Sequence, residues 1–270
     1  MPLSATPQDR REALKQVFAQ ARSCERCQHL AATRTQVVFG AGNADADLMF
    51  VGEAPGQKED EQGVPFVGAA GKLLSELLAE VGIARDDVFI ANVLKCRPPQ
   101  NRNPEPEEIE RCSPWLWRQI ELIEPTVVIT LGNFATKLLR GDPTGIARLH
   151  GQVEERVLGT RMVRLMPSYH PAAALYQRSN RELIATDFAR IPELLALGPP
   201  AQPVAAALTV NPDVSMRQGS EELGTRAAEP TADDLAAARD QLAAEAGAPS
   251  PDSPIRPEPV DPDADQLGLF

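Results

Sequence analysis

Two groups of residues in this chain have the types and spacing to do chemistry. The first lies in VGEAPGQKEDEQGVPFVGAAGKLL, Val51 to Leu74, where Glu53 sits in a Gly/Pro-rich turn and Phe66 stands alone in a second Gly-flanked turn. A carboxylate held by tight backbone, followed by an isolated aromatic ring, reads as the wall of a pocket for a flat, polar ring. The other reading of Phe66 is an ordinary core residue. The second group is Cys24-Glu-Arg-Cys27 with Cys96 and Cys112, the latter two separated by fifteen residues. A tight pair plus two distant thiols can close a tetrahedral four-thiolate site for zinc or for an iron–sulfur cluster. Four unrelated buried thiols are the bland alternative. Spacing alone slightly favours zinc, because the gap matches neither compact ferredoxin run. His29, next to the pair, reads as a surface residue rather than a further ligand.

The elements that must position these residues follow from apolar periodicity. Residues 46–52 and 87–93 read as buried strands, 126–131 as a third, and 152–168 as a hairpin. Helices are predicted over 69–82, with Leu73, Leu74, Leu77, Leu78 and Val81 on one side, over 106–122, over 133–140 and near 180–197. Short apolar strands alternating with helices predict a three-layer α/β/α domain with a mainly parallel central sheet. Ligands in such sheets sit at the carboxyl ends of the strands, and three unusual loops fall there, after Gly52, after Val93 and after Ser168.

Composition divides the chain. Eleven of the 25 prolines lie from Pro199 onward, with four Arg, no Lys and thirteen Asp and Glu. The tail therefore carries most of the formal charge of −11, and the first part is nearly neutral. Global acidity does not exclude nucleic acid as a ligand; local basic patches decide it. We expect a folded domain over 1–198, a disordered acidic Pro/Ala-rich linker over 199–265 and a terminal peptide over 266–270. No apolar signal core and no run long enough to span a bilayer appears, so a cytoplasmic, nucleoid-associated monomer with no membrane partner is expected.

Taken in order, GEAPG…PFVG, NVLKCRPPQNRNP and PSYHPAAAL, with C-x2-C upstream, resemble the family 4 uracil-DNA glycosylases, the thermophile-type iron–sulfur branch. The resemblance spans about Cys24 to Leu197. It implies a 4Fe–4S cluster on Cys24, Cys27, Cys96 and Cys112, against the mild preference for zinc from spacing. It also implies a single α/β/α domain that removes uracil from single- and double-stranded DNA and starts base excision repair.

The residues make chemical sense of that expectation. Uracil must leave the stack before it can react, and Phe66 offers a face worth about 1–3 kcal/mol of stacking. Asn92 can donate to uracil O4 and accept from N3–H, a pattern that cytosine reverses; its alternative is a turn residue. His170, stiffened by Pro171, can donate to O2 as negative charge develops on the departing base; its alternative is a structural histidine. Glu53 could orient water and favour the positively charged sugar. Gly52, Ala54, Pro55 and Gly56 would let backbone approach the base, and Asn101 lies in a loop that the resemblance places near substrate. Glu59 and Asp60 are secondary candidates for the role of Glu53, with an exposed acidic turn as their more ordinary reading. Lys95, Arg97 and Arg102 concentrate charge for phosphates, with the cluster as a clip for their loop. Leu175 or Tyr176 could wedge into the gap left by the base or simply pack on a helix.

Some relatives trap uracil-DNA through a histidine between the Asn strand and the last cysteine. VLKCRPPQNRNPEPEEIER has none, so hydrolysis with turnover is expected, and His150 reads as a loop residue. The chain ends in Gln266-Leu267-Gly268-Leu269-Phe270, which resembles the bacterial sliding-clamp-binding peptide; Gln266, Leu267, Leu269 and Phe270 would fill a groove. As a coil the linker spans roughly 45 Å r.m.s.. A non-catalytic uracil- or DNA-binding module associated with the replication machinery, and a zinc-stabilised hydrolase of free nucleotides, are the competing functions. A binder needs Phe66 and Asn92 but neither Glu53 nor His170.

Overall fold

The structure, a computed structural model, describes residues 6–203. In chain order its elements are α1 (Pro7–Arg22), α2 (Gln28–Thr33), β1 (Ala41–Gly42), β2 (Leu48–Gly52), α3 (Gln57–Gln62), α4 (Ala69–Glu80) and β3 (Phe89–Asn92). There follow α5 (Pro106–Ile123), β4 (Val127–Leu131), α6 (Asn133–Arg140), α7 (Ile146–Leu149), β5 (Glu154–Leu158) and β6 (Arg161–Ser168). Helices α8 (Pro171–Tyr176), α9 (Arg178–Phe188) and α10 (Ile191–Ala196) complete the described chain.

Six strands form one sheet in the order β1-β3-β2-β4-β6-β5. The four central strands are mutually parallel, and the edge strands β1 and β5 pair antiparallel. All five residues of β2 are buried, because both faces of the sheet are covered. Alternate residues go to alternate sides. Met49 and Val51 join a cluster with Leu14, Phe18, Leu116, Ile120 and Ala135 from α1, α5 and α6. Leu48 and Phe50 join one with Leu74, Leu77, Leu78, Ile184 and Phe188 from α4 and α9. This is the expected α/β/α arrangement, with the hydrophobic period of 2 in the strands and of 3.6 in the helices pointing at the same two cores.

Several elements depart from the sequence reading, and β1, α2, α3 and α7 had no assignment there. α1 went unassigned, although Thr6 and Asp9 form a reciprocal capping box, Pro7 opens the first turn, and Leu14, Val17, Phe18 and Ala21 are its buried stripe. The single helix expected near 180–197 is two, α9 and α10. Pro192 has no N–H to continue a ladder and its ring opposes the carbonyl four residues back, so it is accommodated only in the first turn of a new helix. Pro114 lies inside α5. The carbonyl of Glu110 that it leaves without a backbone partner accepts from Ser113 Oγ at 3.2 Å. The acidic linker beyond 203 and the terminal peptide with Gln266, Leu267, Leu269 and Phe270 lie outside the described residues. Among the described residues no helix is long and apolar enough to cross a membrane.

Candidate active site

Because β2, β3, β4 and β6 run parallel, the residues that follow them emerge along one edge of the sheet. The pairing of β2 with β3 continues past both strands: Val93 N–H donates to Gly52 O at 2.9 Å and Leu94 N–H to Glu53 O at 3.0 Å. Glu53 and Asn92 are thus fixed side by side by main chain. Gly52 is where the site closes. A β-carbon there would overlap Asn92 Oδ1 and lie 2.8 Å from Phe66 Cζ. The Phe66 and His170 rings are stacked with centroids 5.4 Å apart and planes 27° apart. Phe66, Asn92 and His170, from three distant segments, therefore meet in one place. That separation is a direct ring–ring contact, which leaves no room for a further flat ring between the two.

Asn92 is 2 % exposed, and its Oδ1 has no hydrogen-bond partner among the described residues. A buried acceptor left unpaired costs about 1–3 kcal/mol, and native folds rarely keep one without a use for it. Glu53 is partly buried with no compensating charge, and burial pushes its carboxyl up to about 7. Burial acts on His170 in the opposite direction and lowers it to about 4, so the imidazole is neutral at physiological pH. His170 caps α8, and its Nδ1 accepts from Ala172 N–H at 3.1 Å. In a neutral ring the proton then lies on Nε2, which is the free donor. The turn bearing His170 is anchored from below, where Ser168 Oγ donates to the buried carboxylate of Asp187 at 2.9 Å.

Phe66 holds its position at a cost. Its φ is +56°, left-handed backbone that an aromatic L-residue seldom adopts. Three groups enforce it. Glu59 Oε1 accepts from Val67 N–H at 3.1 Å and Gly68 N–H at 3.0 Å. Arg85 Nη2 donates to Pro65 O at 2.8 Å and Phe66 O at 3.1 Å. Gly71 lets the Phe66 carbonyl lie where a β-carbon would otherwise be. Glu59 and Asp60 are therefore not an exposed acidic turn. Asp60 is 3 % exposed and accepts from Thr35 N–H at 3.0 Å with each oxygen. Both carboxylates serve backbone N–H groups of neighbouring loops.

The charged loop after β3 also differs from expectation. Lys95 is 1 % exposed and is no phosphate ligand. Arg102 donates twice to the buried carboxylate of Glu108, at 2.9 and 2.6 Å, and His29 Nε2 lies 2.5 Å from the same group. Ligand atoms of His29, Glu105 and Glu108 lie within 4.8 Å of one another, but the guanidinium already occupies the carboxylate, so the group is a clasp between α2 and this loop. His29 is thus more than a surface residue. Asn101 is exposed, and its Oδ1 accepts from Arg97 Nε at 2.7 Å. His150 is likewise not a bare loop residue, since its Nδ1 lies 3.3 Å from Asp187 Oδ1. Leu175 and Tyr176, 39 % and 37 % exposed, lie at the end of α8, the helix that His170 caps.

Residues 39–191 match the model of the uracil DNA glycosylase superfamily. The chain belongs to that superfamily. A type-4 uracil-DNA glycosylase of Archaeoglobus fulgidus is 48% identical over 187 residues, which cover 68% of this chain and 94% of that protein. Those of Sulfurisphaera tokodaii and Thermotoga maritima are 45% and 43% identical over 68% and 66% of this chain, covering 85% and 92% of their own lengths.

In this member of the glycosylase superfamily the four cysteines come from the turn after α1, the start of α2, the loop after β3 and the middle of α5. They are close enough to act on one another electrically. Burial, with repulsion between the thiols adding to it, raises Cys27, Cys96 and Cys112, the last to about 12. Donors stand ready for sulfur: Arg34 Nη1 lies 3.3 Å from Cys96 Sγ, and Lys95 N–H lies 3.2 Å from Cys112 Sγ. A convergent all-thiol donor set, with hydrogen bonds already aimed at two of the sulfurs, suits a metal centre that deprotonates it.

The clamp on Phe66 sets a test with a decisive sign. Replacing a helical Gly by Ala ordinarily stabilises a helix by about 1 kcal/mol. At Gly71 the added carbon must displace the Phe66 carbonyl, so Gly71→Ala is expected to destabilise by about 1–3 kcal/mol in urea unfolding. A variant as stable as the parent would mean that the turn is not locked.

Proposed function

We propose that this chain is a monofunctional uracil-DNA glycosylase, which hydrolyses the N-glycosidic bond of uracil flipped out of DNA and so opens base excision repair. The observation that carries the reading is the buried, unpartnered Asn92 Oδ1 beside Phe66 and His170. Uracil N3–H supplies the missing donor, and O4 receives the Asn92 amide N–H. Cytosine would set a lone pair against Oδ1 and leave that acceptor unsatisfied, which is the strong form of discrimination. Phe66 supplies a stacking surface, and Gly52, Ala54, Pro55 and Gly56 form the close backbone around the base.

In the reaction the C1′–N1 bond breaks and its electron pair passes to the uracil ring, where the charge gathers on O2 and O4. His170 Nε2–H donates to O2 as a neutral imidazole, stabilising the anion without first giving up a proton. Glu53 as carboxylate stabilises the cationic sugar and aligns water; as oxygen bonds to C1′ the water gives one proton to Glu53, which releases it to solvent, and the uracil anion takes a proton from solvent to leave as free base. Both roles need what burial gives these two groups, a base near neutrality and an uncharged donor. A non-catalytic binder would have no use for either.

The four thiols fit a 4Fe–4S cluster, held by Cys24, Cys27, Cys96 and Cys112, which supplies a structural cross-link between the α1–α2 segment, the loop after β3 and α5. Zinc is the lesser alternative for the same donors. The substrate is uracil-containing DNA, with Arg97 as the surface cation of the loop. In the cytoplasm the terminal Gln266-Leu267-Gly268-Leu269-Phe270 would tether the enzyme to a sliding clamp, raising its local concentration on DNA.

Uracil release from single- and double-stranded oligonucleotides, measured in single turnover, tests the function. The parent should release free base without strand scission. Glu53→Gln is expected to lose on the order of 10²-fold or more and His170→Ala about 10²–10³-fold, each still binding the oligonucleotide. Because Glu53 must be ionised and titrates at about 7, the parent rate should rise roughly tenfold per pH unit from pH 5 toward 7 and then level off. Glu53→Gln should abolish that acidic limb. A limb that survives the substitution, or an active Glu53→Gln, would contradict the role of Glu53.

Metal content tests the cofactor separately. The purified protein is expected to contain iron and acid-labile sulfide with visible absorbance, and Cys96→Ala to lose both along with much of its thermal stability. Stoichiometric zinc with no iron would reverse the assignment.

A further inference from the structure

We propose that Lys95 is a positioning residue for uracil readout: it fixes the backbone that carries the Asn92 amide and ties it to the helix bearing Cys112. The inference rests on the assignment of Asn92 as the residue that reads the base.

Its geometry is unusual for a lysine. Lys95 is among the largest side chains that are almost fully buried, at 1 % exposure. Nζ donates to Asn92 O at 2.8 Å and to Gln119 Oε1 at 2.6 Å, and lies 5.8 Å from the centre of the Phe39 ring. Both oxygens are neutral amides. An amine taken out of water is costly, and a methionine of similar length would fill the same space without that penalty. Packing alone does not explain an amine there, whereas a need for a hydrogen-bond donor at the Asn92 carbonyl does.

The Asn92 side chain cannot hold itself in place. Its Oδ1 has no partner until a base arrives, so the aim of the amide comes from its main chain and from the walls formed by Gly52 and Phe66. The backbone is gripped at two points. Val93 N–H holds the far side of the peptide to Gly52 O at 2.9 Å, and Lys95 Nζ holds the carbonyl, its side chain folding back three residues over the end of β3. Gln119 extends the chain of bonds, since its Nε2 donates to Phe39 O at 2.9 Å. Lys95 N–H, in turn, is bonded to Cys112 Sγ on the same α5 that carries Gln119. One residue thus connects the reading amide, α5 and a thiol of the metal centre. Orientation errors of a fraction of an ångström at a reading group lose its hydrogen bonds.

The test uses the full-length protein as purified, its visible spectrum and melting temperature recorded for each variant. Binding of free uracil and of N3-methyluracil is measured to the parent, to Lys95→Met and to Gln119→Met. N3-methyluracil lacks the N3–H that Asn92 reads, so it reports everything except the contact in question. The parent should bind uracil at least about tenfold more tightly than the methylated base. In Lys95→Met uracil affinity is expected to fall about tenfold with N3-methyluracil unchanged, collapsing the ratio; Gln119→Met, which removes only the outer acceptor, should shrink it less. A lower melting temperature with the parental ratio intact, or equal weakening of both ligands, would overturn the positioning role while leaving the uracil site standing. If Lys95→Met does not fold, an unchanged ratio in Gln119→Met overturns it equally. No preference in the parent itself would remove both this inference and the uracil assignment beneath it.

Discussion

The parallel register of β2 and β3 is the constraint on which the site depends. It sets Gly52 opposite Asn92, and the ladder then runs on through Val93 and Leu94, so the carboxylate of Glu53 and the amide of Asn92 leave the sheet together. With no side chain at Gly52, Phe66 and Asn92 can close on the same point. Shifting the register by one residue would turn the Asn92 side chain to the other face of the sheet and dismantle the group. The two cores, sealed by α1, α5 and α6 on one side and α4 and α9 on the other, hold that register because Leu48, Met49, Phe50 and Val51 of β2 are each buried in one or the other.

The electrostatics of the site come from burial rather than from ion pairs. Burial is what shifts Glu53 upward and His170 downward. Opposite shifts from one cause give a carboxylate that accepts a proton near neutral pH and an imidazole that donates without being charged. The polar groups that stabilise the surrounding loops are different ones. Glu59, Asp60, Arg85 and Asp187 bind neighbouring main-chain or side-chain groups. The strained turn at Phe66 persists because Glu59, Arg85 and Gly71 over-determine it.

Much of this was legible in the sequence because the signals were local. The strands at 48–52, 89–92 and 127–131 are short runs of apolar residues flanked by turn signals, and motif-bearing loops after strands of a parallel sheet must share an edge. The helix over 133–140 was read with its observed bounds. What escaped depends on contacts distant in sequence. A lysine, a glutamate and an aspartate in polar stretches default to solvent, yet Lys95 finds Gln119, Glu59 finds the Phe66 turn, and Asp60 finds Thr35. Likewise, the bond between Arg97 and Asn101 within the loop after β3 has no signal in the sequence pattern. α1 was a different kind of miss, since its Thr6–Asp9 box and its apolar stripe were present in the chain.

The most direct measurement is a crystal structure of the protein with free uracil. The expected result is a base lying against Phe66, its N3 and O4 within hydrogen-bond distance of the Asn92 amide and its O2 facing His170 Nε2. Uracil bound away from these three residues, or an Asn92 Oδ1 still without a donor in the complex, would contradict the assignment of the site.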